Sequence, residues 1–321
     1  MINKTPLLLV CILGALLWGL PQSFSVRASE APLSVVATTG MIGDLARAVG
    51  GEHVRVQTLL GEGTDPHLHT PTRADVVALN SAELIFYNGL QLEARMGNVL
   101  ARMERRGRPV VAVAERVHEL GRYTLLLEDE DEYDPHLWMD VQAWKLVLEV
   151  ITDSLIALRP GQAEDFRANA VAFAARMDSL DAYAREVLGS IPEGQRVLVT
   201  AHDAFGYLGR AYGLEVRGIQ GISTDSEAGV RDIENLVNFL VERQIPAIFI
   251  ETSVSDRNVR AVIEGARAKG HRVVIGGELF SDAMGAAGTR EGTYLGMIEH
   301  NVSTIARALG GQVPEEGWVE Q

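Results

Sequence analysis

The stretch Phe166-Arg167-Ala168-Asn169-Ala170-Val171-Ala172-Phe173-Ala174-Ala175-Arg176-Met177-Asp178-Ser179-Leu180, continuing to Val187, decides how this chain is laid out. Phe166, Ala170, Phe173, Met177, Leu180, Ala184 and Val187 recur at alternating spacings of four and three, which makes one apolar stripe on a helix. The pattern opens at Arg159-Pro160-Gly161, where proline suits a first helical turn, and Ile191-Pro192-Glu193-Gly194 stops it. About 28 residues at about 1.5 Å each span roughly 40 Å, enough to run down the side of two lobes. A coiled-coil dimer is the rival use of such a stripe, but about four heptads is near the minimum for one. The reading preferred is an intramolecular spine.

On either side of the spine, short β-rich runs alternate with helical patterns, which reads as an α/β chain. Strands are expected at 33–38, 54–59, 84–87 and 110–113 before it, and at 196–200, 215–219, 247–251 and 272–275 after it. The two sides also match residue by residue. Gly43, Leu45, Arg47, Ala48 and Gly50 recur 163 positions later as Gly206, Leu208, Arg210, Ala211 and Gly213. At nearly the same offset Leu84-Ile85-Phe86-Tyr87 meets Ile248-Phe249-Ile250-Glu251. Two lobes built on one βα plan account for this, with convergence of ordinary βα units as the other reading. The expected organisation is a signal peptide over 1–28, a first lobe over 29–158, a linking helix over 159–189 and a second lobe over 190–321.

The N-terminal segment stands outside that plan. Lys4, an apolar run over 7–20 and the small residues around Val26-Arg27-Ala28 have the form of a cleaved export signal; an uncleaved anchor is the alternative. The one cysteine, Cys11, lies within it, too early for lipid attachment. The exported chain is therefore expected to have no disulfide and no thiolate, so any metal must be held by nitrogen and oxygen. Loss of Lys4 and Arg27, with no acid lost, takes the formal charge from −14 to −16. That balance disfavours nucleic acid and anionic membrane surfaces and suits a cationic ligand, although acidic composition is also ordinary for an exported protein. There is no phosphate-binding Gly-X-X-X-X-Gly-Lys-Ser/Thr and no Gly-X-Ser-X-Gly.

Chemistry concentrates in a repeated tetrapeptide. Asp65-Pro66-His67-Leu68 returns, 69 residues on, as Asp134-Pro135-His136-Leu137, in a protein with eight histidines. Proline fixes its own φ and biases the preceding aspartate toward extended backbone, so each histidine leaves a stiffened loop. His202 follows the expected strand 196–200, and Asp282 stands after the last strand. Ligands of open α/β sheets bind beyond the carboxyl ends of the strands, where these residues converge. His67, His136, His202 and Asp282 would make a three-imidazole, one-carboxylate shell with no vacancy for water, which suits holding an ion rather than activating one. His69, two residues past His67, is an auxiliary candidate, and Glu251 could hydrogen-bond a ligand histidine. His53, His118, His271 and His300 receive no role. The acidic run Glu128-Asp129-Glu130-Asp131-Glu132 reads as a solvated loop; collecting cations near the site is its functional alternative.

At these residues the sequence resembles the cluster A-I metal-binding receptors of bacterial ABC importers, the zinc and manganese solute-binding proteins of the TroA and ZnuA types. The resemblance spans the chain beyond residue 28. It rests on the two Asp-Pro-His motifs, Ala201-His202-Asp203-Ala204-Phe205-Gly206-Tyr207, Gln220-Gly221-Ile222-Ser223-Thr224 and Ser281-Asp282-Ala283. It implies two Rossmann-like βα lobes joined by a long rigid α-helix, with the metal in the cleft between them and His67, His136, His202 and Asp282 as its ligands. It also implies a periplasmic monomer that is no enzyme and delivers Zn²⁺, with Mn²⁺ open, to a membrane permease and its ATPase. The histidine-rich loop of many zinc-specific members is absent, and His69 stands where an aromatic residue is usual. A metal-dependent hydrolase using the same site, with Glu251 or His69 as base, is the competing function.

Overall fold

In the computed structural model, which describes residues 1–2, 31–129 and 132–319, the run Leu33-Ser34-Val35-Val36-Ala37 is almost wholly buried, as a strand covered on both faces must be. This is β1 (Leu33–Ala37). It is followed by α1 (Gly40–Gly50), β2 (Val54–Thr58), α2 (Arg73–Ser81), β3 (Leu84–Tyr87), α3 (Gly97–Arg105), β4 (Val110–Ala112) and α4 (Val113–Glu119). The four strands form a parallel sheet in the order β2-β1-β3-β4, with Val35 opposite Val56 on one side and Leu84 on the other.

A short antiparallel hairpin, β5 (Leu127–Asp129) and β6 (Glu132–Tyr133), leads into α5 (Val141–Leu158) and α6 (Ala163–Gly189). The second half then runs β7 (Val197–His202), α7 (Gly206–Tyr212), β8 (Glu215–Gln220), α8 (Val230–Arg243), β9 (Ala247–Glu251), α9 (Arg257–Ala268), β10 (Val274–Leu279) and α10 (Tyr294–Ala308). β7 pairs with β8 and β9 with β10, all parallel, and β7 packs beside β9. The spatial order β8-β7-β9-β10 thus repeats β2-β1-β3-β4. The residue matches at offset 163 fall on α1 and α7, with Gly213 capping the end of α7.

Three expectations need correction. The acidic run is no simple loop, since Asp129 pairs with Glu132 in the β5–β6 ladder; Glu130 and Asp131 lie outside the described residues, as does the signal segment apart from Met1 and Ile2. The last strand begins and ends later than 272–275 because Gly276-Gly277 does not break it. Instead the register shifts between Ile275 and Gly277, and Gly277 takes φ +156°, with Thr304 packed where a Cβ would stand. β7 extends past Thr200 to His202, so that histidine ends the strand rather than following it.

The stripe of α6 is used within the chain. α6 packs on α5, to which a four-residue turn joins it, and on α1, α7 and α10. Phe166, Phe173, Met177, Leu180, Ala184 and Val187 are buried there in a hydrophobic cluster drawn from both halves, with Leu45 and Trp144 from the first and Tyr207, Ile298 and Val302 from the second. Smaller cores lie under each sheet, around Leu79, Ile85 and Met96 in the first half and Val199, Ile248 and Val262 in the second. Among the described residues no helix is long and apolar enough to cross a membrane.

Candidate metal centre

Each Asp-Pro-His motif closes a small turn. The Asp65 carboxylate accepts the amide of His67 at 2.8 Å, and that of Asp134 accepts the amide of His136 at 2.9 Å, while the intervening proline has no N–H that would need an acceptor. The second copy then feeds a helix. Three residues beyond Leu137, Asp140 caps α5 by accepting the amides of Gln142 and Ala143 at 2.9 and 3.3 Å, and Tyr123 donates to its other oxygen at 2.6 Å. Trp138, fully buried, donates its indole N–H to the Ser281 carbonyl at 2.9 Å. The motif is therefore fastened to the residue preceding Asp282.

The four predicted groups meet. His67, His136, His202 and Asp282 each offer a donor atom within 4.8 Å of all the others, and all four are buried. The Nε2 atoms of His67 and His136 are 3.4 Å apart. Asp282 turns one oxygen to each remaining neighbour: Oδ1 lies 3.3 Å from His136 Nε2, and Oδ2 lies 3.3 Å from His202 Nε2. Donors at about 2.0 to 2.2 Å from one shared ion stand roughly 3 to 3.5 Å from each other, so these spacings are edges of a coordination shell. His202 Nε2 and both Asp282 oxygens make no hydrogen bond of good geometry although fully buried, a condition that costs free energy unless something else partners them.

Carboxylates orient the far sides of two rings. Glu251, buried at the end of β9, accepts from His202 twice, from Nδ1 at 2.5 Å and from the amide at 2.8 Å. Asp134 accepts from His136 Nδ1 at 2.7 Å. These bonds fix Nε2 as the atom aimed inward. Glu251 thus has the contact expected of it. Asp134, seen in the sequence only as part of a stiff turn, has the equivalent contact, and nothing in its tetrapeptide separates it from Asp65. His69 is not in the cluster, because its Nε2 lies 3.0 Å from Asp75 at the start of α2. With Glu251 committed to His202 and His69 to Asp75, the two candidate bases of the hydrolase reading are both engaged elsewhere.

The electrostatics divide the imidazoles. Burial pushes His67 down to about 4, against the pull of Asp282, so it stays neutral at physiological pH. Burial also disfavours charge on His136, but Asp134 and Asp282 outweigh it and raise that ring to about 9. At His202, too, burial opposes charge and is overcome by Glu251 and Asp282, which hold it well above the ordinary imidazole range. Asp282 would be raised by burial, yet His202 and His136 keep it well below the usual carboxylate range. The carboxylates that favour charge on these two rings would equally favour a dication among them.

Comparison with known proteins follows the same lines. Residues 35–308 match the family described as zinc-uptake complex component A, periplasmic (ZnuA). The zinc-binding protein TroA of Treponema pallidum is 47% identical over 302 residues, 93% of this chain and 97% of that protein. The manganese-binding lipoprotein MntA of Bacillus subtilis is 44% identical over 284 residues, 88% of this chain and 92% of its own. The solved structure of the periplasmic zinc-binding protein TroA superposes with a TM-score of 0.83 at 48% identity, covering 87% of this chain and 99% of that one.

Proposed function

The chain belongs to the ZnuA family of metal-binding solute-binding proteins, and from that membership we propose that it is a periplasmic receptor which captures a divalent transition metal and hands it to an ABC permease with its ATPase. In this reading His67, His136 and His202 coordinate through Nε2, and Asp282 through both oxygens. Glu251 and Asp134 hold two of the rings in place. One observation carries it: four buried donor groups, supplied by both halves, stand at coordination-shell spacings with Asp282 Oδ1 and Oδ2 left without hydrogen bonds. The first half, 29–158, and the second, 190–321, act as two lobes joined by 159–189.

Zn²⁺ is the preferred cargo because three imidazoles dominate the donor set. The two inward oxygens of Asp282 make five donors rather than the four expected from sequence, and a fifth, hard donor favours Mn²⁺ as the second reading. The hydrolase alternative has no support, since the relatives are named for metal binding, the family for zinc uptake, and both candidate bases, Glu251 and His69, are engaged by other side chains. The receptor is read as a monomer that works after signal cleavage. Elemental analysis of protein purified without added metal, followed by competition between Zn²⁺ and Mn²⁺, tests the proposal. One equivalent of bound ion, lost on combined His67→Ala and His202→Ala substitution, is the expected result; a protein that retains no ion and binds neither metal refutes it.

A further inference from the structure

The stretch Gln220-Gly221-Ile222-Ser223-Thr224, distinctive in sequence, supplies no donor to the metal cluster. It begins on the last residue of β8 and reaches across to the loop that carries His67. Thr224, 8% exposed, donates its hydroxyl to Asp65 Oδ2 at 2.6 Å, while the other oxygen of Asp65 accepts the His67 amide at 2.8 Å. On the far side of His67, Arg95 donates to the Leu68 carbonyl at 2.9 Å and to Asp225 Oδ1 at 2.5 Å. The His67 loop is thus tied to the second half at two points that flank the histidine.

These ties lie beside the mouth of the site. A cavity of about 190 Å³ is lined by His67, Leu90, Tyr133, Pro135, Ile222 and Ser223, and His67 is the only one of the four metal-cluster residues that lines it. On the first-half side its rim is stiff. Leu90 and Gln91 are held at φ +52° and +65°, conformations that side-chain-bearing residues keep only when their surroundings over-determine them, and the Leu90 amide is bound by Glu115 at 3.1 Å. The rim from the second half is the 221–225 loop, and the Thr224–Asp65 and Arg95–Asp225 contacts are its fastenings to the His67 loop.

We propose that Thr224 and Arg95 form a two-point latch between the His67 loop and the 221–225 loop, and that release of this latch is the step through which the ion enters and leaves. The proposal rests on the metal-receptor reading and assigns these side chains a positioning role. An intact latch holds His67 in place and keeps the mouth shut; opening it frees the one ligand at the mouth first. The latch then governs exchange rates in both directions more than it governs the equilibrium.

Stopped-flow exchange on the full chain loaded with Zn²⁺, with a chelator in excess, tests this. Thr224→Val, which leaves Asp65 Oδ2 without its donor, is expected to speed dissociation about tenfold, with association faster too, as loss of one hydrogen bond to a charged group predicts. Thr224→Ser should restore the wild-type rate. Arg95→Met should give about a threefold increase, because an exposed pair contributes little. At about 1 M NaCl, where screening acts over about 3 Å, the wild type should approach that variant. A dissociation rate for Thr224→Val within about twofold of wild type overturns the latch, and so does an acceleration that Thr224→Ser fails to reverse. Failure of the receptor reading is seen separately, as a wild-type protein that takes up no stoichiometric Zn²⁺, and that result removes both.

Discussion

Replacing Glu251 with glutamine tests the centre without touching a donor atom. The carboxylate now serves two N–H groups of His202 with one oxygen each, the ring at 2.5 Å and the amide at 2.8 Å. Glutamine has one acceptor oxygen, so one of these donors must face an NH₂ group in a fully buried site. Loss of such a partner to a metal-binding histidine lowers metal affinity about 10- to 100-fold, equivalent to about 1.4 to 2.7 kcal/mol. The substitution also removes a charge that helps keep His202 protonated in the metal-free state. Metal uptake near neutral pH should therefore release fewer protons in Glu251→Gln than in the wild type. Competition titration against a fluorescent chelator gives the affinity, and calorimetry in buffers of different ionisation enthalpy gives the proton count. Asp134→Asn is the internal control. Both donors of His136 converge on the single oxygen Oδ1, at 2.9 and 2.7 Å, and an asparagine carbonyl can keep them both. Its loss should be the smaller of the two. Affinity and proton release in Glu251→Gln both matching the wild type would show that the carboxylate does not orient His202, and the reasoning would fail.

Other outcomes follow from the same geometry. Because neighbouring carboxylates raise His136 to about 9 and hold His202 well above the ordinary imidazole range, an incoming dication is expected to displace protons from these rings. Apparent affinity should rise with pH through the neutral range, by about tenfold per unit for each proton displaced, and fall on acidification; an affinity independent of pH between 6 and 8, measured by competition titration, contradicts this. Trp138→Ala empties a fully buried position in the shared core and cuts the tie to Ser281, so unfolding in urea should show a loss of about 3 to 5 kcal/mol. Stripping the ion with a chelator should lower the melting temperature, since ligand at about 1,000 times Kd stabilises by about 4 kcal/mol; equal melting of loaded and stripped protein would contradict binding to the folded state. Metal-free and metal-bound forms should superpose with little rotation of the halves, because α5, α6, α1 and α10 bury one continuous cluster between them. Crystal structures of the two forms differing by a large rigid-body rotation would contradict that.

Much of this was legible in the chain because the informative residues carry local physics. Proline-stiffened turns announce His67 and His136, a strand end announces His202 and Glu251, and the four-and-three spacing of α6 announces the spine. α5 announces itself poorly. Val141, Ala143, Trp144, Val147, Leu148, Ile151 and Leu155 are all buried, its many β-branched residues also suit strands, and an apolar surface around most of a helix blurs its period. The strand expected at 272–275 stops short of Gly276-Gly277, where the structure has an irregularity that the strand passes through. Asp65 and Asp134 sit in identical tetrapeptides, yet one gives its second interaction to a threonine 159 residues away and the other to its own histidine ring. Such differences are decided by what the rest of the fold brings alongside.

The core shared by the two halves has a consequence for whatever meets this protein at a membrane. A receptor that closes like a hinged shell advertises its cargo by changing outline. Here Phe166, Met177, Leu180, Ile298 and Val302 belong to one hydrophobic mass that runs between the halves. If the two forms superpose as expected, a loaded molecule and an empty one present nearly the same silhouette. A partner that tells them apart must read a small area, a few side chains around the mouth, and discrimination between full and empty becomes a matter of local texture.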